Sequence, residues 1–306
     1  MNKPKMIMMC GLPASGKSTY SKELSEKYNA TVFSSDALRE ELFGDINEQS
    51  RDQELFAELH KRIKDCLKNN QNAIYDACNR SYKRRMAFLD ELKKIPCEKI
   101  CVIMATPFER CLVNNANRDR TIPCYVIERM YKGFDVPFVY EGWDYIEVVY
   151  SNEEYKNYYG TVNDFLRRYD AYNQENSHHQ LTLGEHCHKA WDYVCTIQKP
   201  WDTHKNSVRT ATVLHDCGKP FCKTFKNSKG EITDQAHYYD HQCCGSYNSF
   251  FYDIDDEHLY VATLIRWHMQ PYFMSTEKSI NKYRKLWGEE LYTNIMLLLE
   301  SDKAAH

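Results

Sequence analysis

The sequence predicts an α/β domain, with a parallel sheet, flanking helices and an arginine-bearing lid, followed by an all-α domain. Three observations predict it. A complete G-x-x-x-x-G-K-[ST] stretch at residues 11–18 stands between a short apolar run and a helical pattern. Apolar runs of strand length then alternate with helix-period segments to about residue 150. That order builds a parallel sheet with right-handed crossovers. In the second half histidines collect: ten of the chain's twelve fall between His178 and His268, and several of them, with Asp216 and Asp302, lie at the ends of apolar helical segments.

Composition sets outer limits. A chain of 306 residues is long enough for about two domains with sizeable cores. Its 42% hydrophobic and 27% charged content argues against extended disorder. The net charge of −3 advertises no global basic field, so a nucleic-acid substrate would need local patches. Thirteen cysteines, an odd number without a C-x-x-C pair, fit neither a disulfide framework nor a zinc-finger pattern. Reduced thiols in a cytoplasmic protein are the expectation. No signal-peptide stretch precedes the first strand, and no apolar run is long enough to span a bilayer, so no membrane partner is expected. A polar, tyrosine-rich stretch from Ser151 places the domain boundary: 1–152, a linker at 153–174, and 175–306.

In the first half, Met6-Ile7-Met8-Met9-Cys10 reads as a buried strand and residues 18–28 as a helix. Between them Gly11 and Gly16 permit turns that side chains would block. The exposed amides and the helix N-terminus then face an anion, with Lys17 on the outer phosphates and the Ser18 hydroxyl on magnesium. A second strand candidate, Thr31-Val32-Phe33-Ser34, ends at Ser35-Asp36 before a helical segment from Ala37. Position alone leaves Asp36 two readings: a helix N-cap, or a carboxylate facing the γ-phosphate that takes a proton from an attacking hydroxyl. Arg39, one turn on, would lie on the same side and could grip an acceptor phosphate. Residues 49–69 carry Leu55, Phe56, Leu59, Ile63 and Leu67 at helical spacing, a core stripe. Ala73-Ile74-Tyr75-Asp76 is a third strand. Asp76 is either the magnesium-side acid acting through water or a cap for the next helix, residues 81–92. Residues 99–104 form a fourth strand, and Thr106-Pro107 is expected to open a helix with proline in its first turn. The polar segment that follows holds Arg118 and Arg120, which are either ordinary surface charge or a lid over ATP whose guanidinium forks neutralise a migrating phosphoryl group. A helix at 127–134 and a last strand, Ile146-Glu147-Val148-Val149, complete the half.

These motifs together resemble the P-loop polynucleotide 5′-kinases of phage and bacterial RNA repair. The match includes the phosphate loop, Asp36-x-x-Arg39, Asp76 with Asn79, Arg118 and Arg120 before Thr-Ile-Pro, and the stretch Pro-Phe-Val-Tyr-Glu-Gly-Trp-Asp at 137–144. The resemblance implies that Gly11, Ala14, Ser15, Gly16, Lys17, Ser18 and Thr19 hold ATP·Mg. It implies that Asp36 is the general base and that Arg39 binds the acceptor-side phosphate, with Asp76 also on the substrate side. Arg120, with Arg118, would stabilise the phosphoryl in flight. Related P-loop kinases of small metabolites share most of this framework.

In the second half the constellation is His186, His215-Asp216, His241, His268 and Asp302. Mixed imidazole and carboxylate ligands suit a divalent transition metal such as Mn, Fe, Co or Ni, and zinc less comfortably. The chemistry would be metal-assisted attack of water on phosphorus. The order His…His-Asp…Asp, with His215-Asp216-Cys217-Gly218-Lys219-Pro220 and the segment around Asp302, resembles the HD superfamily of metal-dependent phosphohydrolases. That resemblance implies His186, His215, Asp216 and Asp302 as ligands of a first metal. His241 and His268 match the extra histidines of members that bind a second metal or clamp a phosphate. Lys219 would contact that phosphate, and His237 matches a histidine of nucleic-acid-processing members. His178, His179 and His188 are expected to be structural or substrate-side. The sequence stops four residues after Asp302, so the last helix must dock firmly to hold that ligand.

The two resemblances together imply RNA end healing: ATP-dependent phosphorylation of a 5′-hydroxyl, and removal of a 2′,3′-cyclic, 2′- or 3′-terminal phosphate. RNA ends are the expected partner rather than DNA, with sealing by a separate ligase. The rival readings are a nucleoside or metabolite kinase joined to an HD nucleotidase, and a nucleotide-sensing module that regulates the second domain.

Overall fold

The computed structural model describes residues 3–177, 180–197, 204–254 and 257–306; His178 and His179 lie outside them. The chain divides into two compact units, Met1–Glu128 with Pro137–Asn152, and Arg129–Val136 with Glu153–His306.

The first unit runs β1 (Lys5–Cys10), α1 (Lys17–Tyr28), β2 (Ala30–Ser34), α2 (Ser35–Phe43), α3 (Asp52–Lys68), β3 (Asn72–Asp76), α4 (Tyr82–Glu91), β4 (Glu98–Ala105), α5 (Phe108–Ala116), α6 (Cys124–Lys132) and β5 (Tyr145–Tyr150). The five strands form one parallel sheet in the order β2-β3-β1-β4-β5. β1 lies in its middle, and Met6 to Cys10 are buried there because a central parallel strand is covered on both faces. Pairing of Met9 and Ser34 with Asp76 brings the carboxyl ends of β1, β2 and β3 level. An open α/β sheet binds ligands beyond those ends.

Several expected boundaries move. α2 starts at Ser35 because the Ser34 side chain accepts from the Ala37 amide; Asp36 therefore sits inside the first turn and is not the cap. Asp76 caps nothing either, since Ser81 precedes α4. Pro107 is the N-cap of α5 instead of a first-turn residue. α6 begins three residues earlier than the apolar pattern indicates, and residues 129–136 group with the second unit, which nothing in the pattern announced.

The second unit continues with β6 (Gly160–Thr161), α7 (Val162–Tyr169), α8 (Leu183–Thr196), α9 (Lys205–Leu214), α10 (Lys219–Cys222), β7 (Thr224–Lys226), β8 (Ile232–His237), α11 (His241–Asn248), β9 (Tyr252–Asp253), α12 (His258–Trp267) and α13 (Glu277–Ala304). It is helical but not all-α. β7 and β8 form an antiparallel hairpin, and β6 pairs parallel with β9. Much of the stretch expected as a linker is folded: α7 carries a capping box between Thr161 and Asp164, and Phe165 is fully buried. The last helix does dock. α13 breaks at Gly288 (φ 72°), and its second half buries Leu291, Ile295, Leu297 and Leu298.

Candidate functional site

The phosphate loop has the backbone its glycines allow. Gly16 takes a left-handed conformation (φ 94°) as N-cap of α1, and Ala14 is also left-handed (φ 59°). A Cβ at Gly11 would meet Ser15 Oγ at 2.8 Å. The loop is tied back through its carbonyls: Thr106 Oγ1 donates to Ser15 O at 2.9 Å, and Asn114 Nδ2 to Ala14 O at 3.1 Å. The first amides of α1 have no acceptor within the helix and form the anion-facing end. Lys17 is buried and its Nζ donates to Leu12 O at 2.6 Å, while Ser18 and Thr19 are exposed.

Beside this loop Arg120 Nη1 meets Asp36 Oδ2 at 3.1 Å, with half of the Asp36 side chain open to solvent. Arg39 is buried and donates through Nη1 to Asp52 Oδ1 at 2.8 Å and to Glu48 O. Arg118 stays exposed on the turn after α5. Asp76 is buried at the end of β3. Burial raises its pKa, and the Lys17 charge and a hydrogen bond from Ser18 work against that rise. So Lys17, Ser18 and Asp76 come together, as do Asp36 and Arg120, whereas Arg39 is turned onto Asp52. Sequence reasoning missed Asn47, Glu48 and Asp52. Only the acidic residues at the start of α3 hinted at a partner for an arginine.

Behind the loop a buried strut fixes the end of β3. Arg85 pairs with Glu141 through Nη2 at 2.6 Å and Nε at 2.9 Å, both side chains fully enclosed. Trp143 Nε1 donates to the same carboxylate at 2.9 Å, and Arg85 Nη1 donates to Asn79 O at 2.9 Å. Asn79 is left-handed (φ 46°) and its amide reaches Met9 O at 2.8 Å. The Glu-Gly-Trp part of residues 137–144 is therefore a clamp on the strand end.

In the second unit the six expected His and Asp side chains gather, all of them buried. His186 Nε2 lies 3.2 Å from His215 Nε2, 3.1 Å from Asp302 Oδ1 and 3.5 Å from Asp216 Oδ2. His241 Nε2 lies 3.3 Å from His268 Nε2 and 3.3 Å from Asp216 Oδ1. Asp216 thus faces one imidazole pair with each oxygen. Helix ends set this up. His215 and His268 are the C-caps of α9 and α12 and His241 opens α11, so each ring is held where its helix starts or stops. Gly218 lets α10 approach α11, since a Cβ there would lie 2.0 Å from His241 O.

The donor set fits a divalent ion. His215, His241 and His268 each place Nδ1 2.7 Å from a main-chain carbonyl, of Thr212, Tyr238 and Ile265. A carbonyl only accepts, so the proton of each neutral ring sits on Nδ1 and Nε2 is a lone pair. With both rings neutral, two such lone pairs would face one another at 3.3 Å between His241 and His268, an arrangement that a cation relieves. Burial alone would lower His215, but Asp216 and Asp302 outweigh it and push it up to about 10; the same negative field favours a metal ion. His268, with burial dominant and His241 and His215 adding to it, is lowered to about 3. Burial works to raise the Asp216 and Asp302 carboxyls, yet both are held well below the usual range, Asp216 chiefly by Lys219 and Asp302 chiefly by its hydrogen bond from His186.

Two expected residues behave differently. Lys219 is buried and bonds Asp216 Oδ2 and Gln174 Oε1, each at 2.7 Å, so it braces a carboxylate. His237 stands on the β7–β8 hairpin, with Nε2 3.1 Å from Thr233 Oγ1 and its ring stacked on Tyr239; it is not in the cluster. His188 is exposed and stacks on Trp191. Sequence reasoning missed Tyr272, whose hydroxyl donates to Asp302 Oδ2 at 2.8 Å, and His306, whose Nε2 lies 3.6 Å from Asp302 Oδ1. The spacing of His306, four residues beyond Asp302 on the same helical end, was a usable signal.

Comparison with known proteins bears on the first unit. A family model described as an AAA domain matches residues 6–137. L-seryl-tRNA(Sec) kinase of Methanococcus maripaludis is 26% identical over 166 residues, covering 53% of this chain and 64% of that protein. This chain therefore spans less than two thirds of that relative. Among solved structures, a putative kinase from Chloroflexus aurantiacus matches with a TM-score of 0.41 and 22% identity, over 49% of this chain and 87% of that one. The Pnkp1/Rnl/Hen1 RNA repair complex matches with a TM-score of 0.38 and 22% identity, over 42% of this chain and 43% of that one. The first unit has the parallel-sheet α/β fold of P-loop kinases. Among the described residues no helix is long and apolar enough to cross a membrane.

Proposed function

We propose that the chain is a bifunctional nucleic-acid end-healing enzyme, a polynucleotide 5′-hydroxyl kinase joined to an HD-type phosphohydrolase. One observation carries the reading. A phosphate loop with a carboxylate–arginine pair beside it shares a chain with a buried cluster of imidazole lone pairs around Asp216. Each is a site for phosphorus chemistry of a different kind.

In the first unit the loop residues Gly11, Ala14, Ser15, Gly16 and Thr19 cradle ATP, Lys17 swings from Leu12 O to the outer phosphates, and Ser18 ligates Mg2+. Asp76 would serve as the acid on the magnesium side of the site. Asp36 accepts the proton of the attacking hydroxyl, Arg39 grips the acceptor phosphate, and Arg120, helped by Arg118, neutralises the phosphoryl in transit. In the second unit His186, His215 and Asp216, with Asp302 beside them, would hold one divalent ion, and His241, His268 and Asp216 have the geometry for another. A Mn, Co, Ni or Fe ion there supplies Lewis acidity to a terminal phosphate. The chain's own part is to exclude water from the donors, fix the ring tautomers and brace Asp216 with Lys219. His237, away from the ions, would touch the strand. A separate ligase would seal the healed ends, and the free thiols fit a cytoplasmic setting.

The name of the Methanococcus relative places its acceptor on a tRNA, which supports an RNA-bearing acceptor here. A net charge of −3 favours the second reading, a nucleoside or metabolite kinase joined to an HD nucleotidase. One RNA carrying a 5′-hydroxyl and a 2′,3′-cyclic phosphate, given ATP, Mg2+ and Mn2+, separates them. End labelling and loss of the cyclic phosphate are expected. Labelling of nucleosides alone would replace the first reading by the second.

A further inference from the structure

The loop between α2 and α3 engages both arginines assigned to phosphate, Arg39 for the acceptor and Arg120 for the phosphoryl in transit. Ile46 O accepts from Arg120 Nη2 at 3.3 Å, and Asn47 Oδ1 from Arg120 Nε at 3.1 Å. Glu48 O and Asp52 Oδ1 share Arg39 Nη1, the latter at 2.8 Å. Two carbonyls, an amide oxygen and a carboxylate therefore offer these guanidinium groups what a phosphate would offer: acceptors and negative charge. The loop is preformed. Asp45 Oδ1 accepts from the Asn47 amide at 2.8 Å, and Glu48 Oε1 accepts from the Ser50 amide at 2.7 Å and its hydroxyl at 2.6 Å.

We propose that segment 46–52 is an internal competitor for the acceptor's phosphate, with Asp52 as the charged group an acceptor must displace from Arg39. The inference rests on the kinase reading above and assigns it a determinant of acceptor affinity. Asp52 acts by being displaced and touches no reacting atom. Its place in the first turn of α3 gives it a structural alternative, favourable charge at a helix N-terminus.

Asp52→Asn decides between them. Removing the competing charge should lower KM for a 5′-hydroxyl oligoribonucleotide about tenfold, the scale of one hydrogen bond between charged groups. KM for ATP and kcat should carry none of that change, and Asp52→Glu should restore the original KM. Inorganic phosphate, titrated calorimetrically against the full-length protein, should bind Asp52→Asn more tightly by a similar factor. A KM that rises or stays put, with phosphate binding no tighter, would mean that Asp52 orients Arg39 or only supports the helix, and would overturn the proposal. If no RNA is phosphorylated at all, the kinase reading fails, while the phosphate titration still decides for or against the competitor.

Discussion

The two sites of this chain hold charge in opposite ways. In the first unit three of the site's cations rest on stand-in partners: Lys17 on Leu12 O, Arg120 on Asp36, Arg39 on Asp52. These groups lie at loop ends, and Asp36 is 51% exposed in its side chain. In the second unit His186, His215 and His268 are each 1% exposed, and the Nε2 atoms of His241 and His268 face one another at 3.3 Å. A site that exchanges its ligand each turnover keeps its charges on partners that can leave, because bare buried charge is costly. A site for a resident cation can leave lone pairs uncompensated in a dry core, because the ion is the compensation.

That contrast breaks most visibly if either centre depends on the other. Asp216→Ala removes the one carboxylate that faces both imidazole pairs. Phosphohydrolase activity should fall by at least about 10³-fold, the worth of several kcal/mol of Lewis-acid stabilisation, with 5′-phosphorylation unchanged. Asp36→Asn should do the reverse, costing about 10²- to 10⁴-fold in phosphoryl transfer as expected for a lost general base, and leaving phosphate release intact. Assays of both activities on each folded variant check the pair. Loss of both activities in one variant would mean the sites are not separate.

The same contrast explains what the sequence disclosed. The phosphate loop is contiguous, so its spacing and its setting between a strand and a helix can be read directly. The His/Asp cluster is scattered from residue 186 to residue 302, yet its members are betrayed by apolar helical runs ending in His215 and His268. What stayed hidden lacks any local pattern. Asp52 and Tyr272 act through side-chain reach across a turn. The hairpin that carries His237 has a strand of three residues, too short for periodicity to show. Lys219 reads in the sequence as able to contact a phosphate; its ammonium is buried on Asp216 and Gln174, partners that no local pattern announced.

A smaller effect sharpens the comparison on the stability side. The enclosed Arg85–Glu141 pair belongs to the first unit alone. Arg85→Ala leaves Glu141 buried with its charge unpaired and Trp143 Nε1 as its donor among the described residues, which should cost about 3–5 kcal/mol in that unit. Denaturant unfolding followed by circular dichroism should lose its first transition early. Manganese binding to the second unit should keep the wild-type affinity. A matching loss of metal affinity would show that the folding of the two units is coupled.

The mildest change probes how the buried cluster is held. Asp302 turns Oδ1 toward His186 and receives the Tyr272 hydroxyl on Oδ2. A ligating carboxylate held on its far oxygen is fixed in direction, and losing such a partner typically weakens metal affinity about 10- to 100-fold. Tyr272→Phe keeps the ring and removes only the donor, so the fold should not change. Titration of metal-depleted protein with Mn2+ should show affinity reduced by about that factor, with kinase activity untouched. Unchanged affinity would mean that α13, whose buried leucines already seat Asp302, orients the carboxylate by itself. In that case the rigidity of the second site would come from helix packing, and the hydroxyl would serve only to satisfy an oxygen that the metal does not use.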